Sequence, residues 1–378
     1  MLAALGLSHF TELERGLAAA AADAREGLAG EPELAIAFIS TAHGTLDGAL
    51  KRRVSGLAGA SRGAAAQVEG FRGASGDCLA TPAVAVLACR GLGRSVYLFD
   101  QGPGREEELG EELMSEFGPF GERDLLVILS DAHALDARRL TEGLAACRPA
   151  VALGLGVAGS SGAGAVSIVD EDAARGGALA ICLRAPASLR RAVAPGTRLC
   201  EARTVSSARG NWLLELDGVA ALDEFRDAAG VLWDDERRAL GSVLVALPAS
   251  EERAPHAAIV RDVVGIDRDA GAIALSEPLA PGTRLAFARR DPVAAREALT
   301  EVGEVLGQGT EGPGLGLAVS CASRGEAFFG HEGIESAYLS RAFAPDTWLA
   351  LVGRYQIGTL ACGTAGLLTQ SVALAHIR

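Results

Sequence analysis

Leu34-Ala35-Ile36-Ala37-Phe38-Ile39, closed by Ser40-Thr41-Ala42-His43-Gly44, is the stretch that decides the fold class. Six apolar residues without a charge read as a strand buried on both faces, and the small polar residues after it read as a loop at the strand's end. Upstream, Thr11-Glu12-Leu13-Glu14 has capping-box spacing. Leu13, Leu17, Ala20, Ala24 and Leu28 then recur at helical period as far as Gly30, which predicts an amphipathic helix. Downstream the rhythm continues with strands at Val84 to Cys89, Val96 to Phe99, Leu125 to Leu129 and Ala150 to Leu153, and with helices over about 106 to 117 and 135 to 147. Strands alternating with helices predict an α/β layer architecture.

Beyond residue 175 or so the segments lengthen. Ala178 to Leu183, Trp212 to Leu216, Ser242 to Leu247, Ala257 to Ile266 and Ala272 to Leu275 read as strands, with Asp267-Arg268-Asp269-Ala270-Gly271 as a hairpin connection. Helices fall near 220 to 229, 292 to 306 and 333 to 343. The expectation is an α/β to α+β fold of layered mixed β-sheets flanked by helices, in two halves, residues 1–210 and 211–378. Ala194-Pro195-Gly196-Thr197-Arg198-Leu199 recurs as Ala280-Pro281-Gly282-Thr283-Arg284-Leu285, and Pro-Gly suits a type II turn leading into a strand. One turn chemistry used twice and an old duplication both explain the echo.

With 35 basic and 48 acidic groups the net charge is −13, a sign that repels phosphate backbones and anionic lipid, so no nucleic-acid partner is expected. Lys51 is the only lysine, has no glycine-rich run before it, and leaves no phosphate loop. The seven cysteines (Cys78, Cys89, Cys147, Cys182, Cys200, Cys321 and Cys362) form no CxxC pair, which points to a reducing cytoplasm and to no metal. The uncharged stretches Pro149 to Val169 and Tyr355 to Ile377 carry too many glycines and polar residues for a membrane helix. Each reads as strand, turn, strand, and no membrane insertion is expected.

Most catalytic motifs fail on their context. Gly154-x-Gly156-x-x-Gly159 follows a predicted strand, but no helix begins there to hold a pyrophosphate. Gly59-Ala60-Ser61-Arg62-Gly63 matches a nucleophile elbow after only a weak strand at Val54 to Leu57, and a structural glycine turn is the preferred reading. His331-Glu332-Gly333-Ile334-Glu335 lacks a second histidine for zinc, and the six histidines are scattered. Glu106-Glu107-Glu108-Leu109-Gly110-Glu111-Glu112-Leu113 reads as a solvated acidic helix face, with docking of a basic partner behind it. No cofactor is implied.

The stretch with most chemical content is Leu315 to Gly325, an apolar strand that delivers Ser320-Cys321-Ala322-Ser323-Arg324-Gly325 into a turn. A thiol, a guanidinium and a flexible glycine there make a pocket for an anion or carboxylate. A buried cysteine beside a structural arginine explains the same residues. Gly353-Arg354-Tyr355-Gln356-Ile357-Gly358 is a second cluster that could face the first.

Taken together, the chain resembles the FIST family of paired N- and C-terminal sensory domains of bacterial signal transduction, found also in a eukaryotic F-box adaptor. The resemblance runs from about Glu33 to His376. In the first half it lies in Leu34 to Ser40, Gly59-Ala60-Ser61-x-Gly63, Pro82 to Val86, Asp124 to Val127 and Gly154 to Gly159. The junction is Pro195-Gly196, Arg203-Thr204-Val205 and Gly210-Asn211-Trp212 to Gly218. Arg289-Arg290-Asp291, Ser320-Cys321-Ala322 to Arg324-Gly325 and Gln356-Ile357-Gly358 complete it. Ala60, Ser323 and Gln356 depart from the cysteine, glycine and glutamate usual in the family.

The resemblance implies a cytoplasmic two-domain sensor that binds a small metabolite, an amino acid or related carboxylate, in a pocket between its halves and acts on a signalling protein in trans. Arg324 would receive the anionic group, Cys321 and Gly325 would line the wall, and Arg354 and Gln356 would supply hydrogen bonds. Two alternatives stay open: a hydrolase or transferase with Cys321 as nucleophile and His331 as base, and an interaction scaffold without a ligand.

Overall fold

The computed structural model describes residues 3–44, 46, 49–74, 76–79, 81–99, 104–118, 120–132, 135–146, 152–157, 168–169, 174–175, 178–247, 259–307, 314–359 and 365–378. Cys147, Gly159, Cys362, His133 and His256 lie outside them. The chain forms two compact units. One comprises residues 1–194, 299–367 and 371–378, and the other residues 195–298 and 368–370. The first unit draws on both sequence halves.

Within the first unit one topology occurs three times. In sheet I the strands Ala3–Ser8, Val84–Cys89, Leu34–Ser40 and Arg62–Val68 stand in that order, with the last two parallel and the other neighbours antiparallel. Sheet II repeats the pattern with Gly93–Phe99, Ala178–Arg184, Asp124–Asp131 and Ala152–Val157. Sheet III repeats the order with Leu189–Pro195, Ser371–Ile377, Leu315–Cys321 and Thr347–Gly353. A parallel pair needs a crossover, and helices Leu50–Ala58, Ala137–Ala146 and Ile334–Phe343 supply the three. Helices Leu13–Gly27, Leu109–Phe117 and Pro292–Gly307 precede the three parallel pairs.

In each repeat the strands between the parallel pair and the repeat's last strand cross to another repeat's sheet. Gly70–Gly73 and Gly76–Leu79 extend sheet III from Thr347–Gly353, Ile168–Val169 and Ala174–Arg175 extend sheet I, and Tyr355–Thr359 with Ala365–Leu368 extends sheet II. The exchange makes a closed cycle, so no repeat completes its sheet alone. The inner faces meet at an apolar void of ≈ 20 Å³ lined by residues such as Ile36 and Phe38 of sheet I, Val127 and Leu153 of sheet II, and Val319 and Leu351 of sheet III. With no polar lining atom it is a packing void. The outer faces of sheets I and II are covered by their helices, through Leu17, Ala20, Leu50 and Val54 on the first and Leu113, Leu140 and Leu144 on the second. Gly6 permits one such approach, since a Cβ there would stand 1.9 Å from the Ala20 carbonyl oxygen.

The second unit holds the antiparallel sheet IV, in the order Thr197–Arg209, Arg284–Arg290, Val243–Leu247, Ile259–Asp267, Ala272–Leu275, Trp212–Leu216 and Val219–Ala220. Its core packs helix Ala221–Ala229 on the sheet through Leu222 and Phe225, the latter edge-on to Phe287 and Trp233. In sequence this unit is an insertion within the third repeat.

The layered α+β expectation holds, with local corrections. Helix Leu13–Gly27 starts after Glu12 with no side-chain cap, because Glu14 pairs with Arg53 instead of closing a capping box with Thr11. Val54 to Leu57 belong to helix Leu50–Ala58, whose end is set by Gly59 at φ +68°. Glu106 is not on a solvated face. It is buried before the helix and accepts from the backbone N–H groups of Gly104 and Asp136 at 2.9 and 3.2 Å, which with Arg139 outweigh burial and lower its pKa. The repeated Ala-Pro-Gly-Thr forms a turn in its second copy, with Gly282 at φ +86° and Thr283 N–H donating to Ala280 O at 3.1 Å. In the first copy Pro195 ends a strand and Gly196 has no positive φ. The strands that follow the two copies pair with each other, Arg198 opposite Arg289 and Thr204 opposite Arg284.

Candidate functional site

Strand Leu315–Cys321 ends where Ala322 N–H donates to Gly353 O at 2.8 Å, and Arg324 N–H donates to Cys321 O at 3.0 Å to close the turn. The strand's alternation sends Ser320 to the helix side of sheet III and Cys321 to the inner side with Val319. On the helix side a charged cluster fills the space. Arg72, Arg324 and Glu335 are each 1% exposed. Glu335 takes Arg324 Nε on one oxygen at 2.5 Å, and Arg72 Nη1 at 2.8 Å and Ser320 Oγ at 2.6 Å on the other. Arg72 also donates to Ser320 Oγ at 2.9 Å, Arg324 O at 2.8 Å and Asp77 Oδ2 at 3.2 Å, while Ser336 donates to Asp77. Burial alone would raise the Glu335 pKa, but the Arg324 and Arg72 charges, with the hydrogen bonds from Ser320 and Arg324, hold it below the usual carboxylate value. The two guanidiniums are balanced by Glu335 and Asp77. Arg324 is thus a structural arginine that pins the turn to helix Ile334–Phe343, and Arg72 brings the hairpin that the first repeat contributes to sheet III into the same network.

On the inner side Cys321, 4% exposed, receives the Ser323 hydroxyl on its Sγ at 3.0 Å and donates to Arg354 O at 3.8 Å. Arg354 is at the rim with its side chain 64% exposed, its Nε on Glu69 at 2.9 Å and its backbone N–H on Gly156 O at 2.7 Å. Tyr355 and Ile357 point into the helix-covered core of sheet II. The Tyr355 hydroxyl bonds Ser130 Oγ at 2.6 Å, and burial pushes its pKa up to about 12. Gln356, between them, points to the inner layer and is fully buried. Its Nε2 donates to Gly353 O at 3.4 Å, and among the described residues its Oε1 has no hydrogen-bond partner. A buried acceptor without a partner costs about 1–3 kcal/mol.

Of the five residues singled out from the sequence, Cys321, Arg354 and Gln356 share the inner rim, joined by backbone bonds of Gly353 and Arg354. Arg324 points the other way, to Glu335. Gly325 precedes the short helix Glu326–Phe329 and has open space beyond its Cα. Arg72 and Glu335 were missed. Glu335 stood inside the rejected zinc pattern, and Arg72 lies 248 residues from Ser320, a separation no local pattern bridges.

The other motifs resolve as packing. A Cβ at Gly154 would stand 2.7 Å from Ile357 Cβ, and one at Gly156 2.0 Å from Tyr355 Cε1, so these glycines let strand Tyr355–Thr359 lie close. Ser61 Oγ donates to Glu33 O, after a helix rather than before one. Among the described residues no group of His, Cys, Asp or Glu could hold a metal ion, and no helix is long and apolar enough to cross a membrane. A surface groove of ≈ 560 Å³ at Arg123 and Arg184 has Arg184 bound bidentately to the buried Asp124 at 2.7 and 2.8 Å.

No curated protein matches the chain significantly. The FIST N domain matches residues 33–219 and the FIST C domain residues 221–358, in tandem. The junction between the two matches falls inside the inserted unit, while strands Ala3–Ser8 and Ser371–Ile377 lie outside both and still pair into sheets I and III. The two matches together cover well over half of the sequence, and the chain belongs to the FIST family.

Proposed function

We propose that this protein binds a small polar metabolite at the inner rim formed by Cys321, Gly353, Arg354 and Gln356, and passes the signal to a partner in trans. FIST domains are sensory domains of signal transduction. The observation that carries the ligand reading is Gln356, a fully buried amide with an orphaned acceptor oxygen on a strand contributed by one repeat to another's sheet. In this reading Cys321 lines the wall, Arg354 meets an anionic group such as the carboxylate of an amino acid at the rim, and Arg324 and Gly325 shape the turn. A ligand that tightens this rim changes how the exchanged strands sit, which gives the binding event a structural readout. Thermal-shift screening of the full chain against amino acids and short carboxylates tests it. At least one compound is expected to raise the melting temperature in wild type and not in Gln356→Leu, and a panel without any such compound contradicts the proposal.

The nucleophile reading is disfavoured by geometry. Cys321 is buried, its partners are a hydroxyl and a carbonyl, and among the described residues no hydrogen bond joins it to the exposed His331. Iodoacetamide at neutral pH is expected to leave Cys321 unlabelled in the native protein and to modify it after denaturation, read by peptide mass analysis. Rapid native labelling at Cys321 would restore the enzyme reading.

A further inference from the structure

A second orphaned polar atom faces the same layer. Ser371 opens strand Ser371–Ile377, which pairs antiparallel with Leu315–Cys321, Val372 opposite Ser320 and Ala373 opposite Val319. The next position along that ladder sets Ser371 beside Cys321. His376, on the alternate face, packs edge-on against Phe343 of the covering helix, so the face carrying Ser371 and Ala373 is the inner one. Ser371 is 3% exposed and its Oγ has no hydrogen-bond partner among the described residues. Strand Tyr355–Thr359, which carries Gln356, packs against both Leu315–Cys321 and Ser371–Ile377. Asp131 ends strand Asp124–Asp131 on the same inner parity as Val127 and is buried.

These groups define what the buried end of the site accepts. Gln356 Oε1 is a pure acceptor, the Ser371 hydroxyl both donates and accepts, and neither carries charge. We infer that the pair Gln356 and Ser371 recognises an uncharged group with one N–H donor and one acceptor, a carboxamide rather than a free carboxylate. This inference rests on the ligand reading above and extends the site to Ser371, beyond the residues matched by the FIST C domain.

The test is binding to the full chain, by thermal shift and by calorimetry, of three matched pairs: glutamine and glutamate, asparagine and aspartate, propionamide and propionate. Each carboxamide is expected to bind at least tenfold more tightly than its acid. Ser371→Ala is expected to weaken the carboxamide at least tenfold, and Gln356→Glu to abolish the preference. Both variants should keep the wild-type far-ultraviolet circular dichroism. Equal binding within pairs, an unchanged Ser371→Ala, or no binding by any of the three carboxamides overturns the inference. In each of those cases the broader sensory reading still stands or falls on its own screen. A crystal structure of the full chain grown with the carboxamides that shows only a water bridging Gln356 Oε1 and Ser371 Oγ also overturns it.

Discussion

Glu335→Ala is expected to destabilise the first unit by about 3–5 kcal/mol, because it removes the buried carboxylate that two buried guanidiniums share. Urea unfolding measures the loss. The partner test is a cycle: Arg324→Met combined with Glu335→Leu replaces one ion pair by apolar side chains of similar volume and is expected to recover most of what either single change loses. The pH dependence follows from the lowered pKa of Glu335. A carboxyl held below its ordinary 4.5 contributes stability that is full above that value and fades as pH falls through the lowered folded value. Wild type and Glu335→Gln should therefore converge in stability on acidification below about pH 4.5. A Glu335→Ala protein within 0.5 kcal/mol or so of wild type at neutral pH would show that the cluster does not hold the turn.

Gly156→Ala is the second large effect. The new Cβ would stand 2.0 Å from Cε1 and 2.3 Å from Cζ of Tyr355, and that ring is fixed by its burial and by the bond from its hydroxyl to Ser130. The ring cannot yield without breaking that bond or pushing strand Tyr355–Thr359 off sheet II, so the cost is expected at about 1–3 kcal/mol in urea unfolding. Gly156 has no positive φ, which separates this steric cost from backbone strain. Because Gln356 follows Tyr355, ligand binding should weaken along with stability. An alanine as stable as glycine here would mean that the close approach is not as described.

Much of the fold was legible in local patterns. Trp212 to Leu216, Val84 to Cys89 and Ala272 to Leu275 end where their apolar runs end. The threefold repeat was not legible, because Leu34–Ser40, Asp124–Asp131 and Leu315–Cys321 share burial and topology but few residues. The one echo visible as text, Ala-Pro-Gly-Thr-Arg-Leu, belongs to neighbouring strands of the inserted unit instead. Site residues were legible by type and not by direction. Strand parity decides that Cys321 and Gln356 face inward while Ser320 and Arg72 face the helix, and parity depends on pairings with distant strands. Arg324 has the chemistry of an anion receptor and is occupied by Glu335, eleven residues later, which composition alone does not reveal.

In the proposed function the inner rim around Gln356 holds a small ligand. Isothermal titration of the full chain with the strongest hit of the amino-acid and carboxylate panel measures it directly, comparing wild type with Gln356→Leu. Saturable binding to wild type and an affinity at least tenfold weaker in the folded variant is the expected result. Equal affinity in both would place the ligand elsewhere and contradict the account.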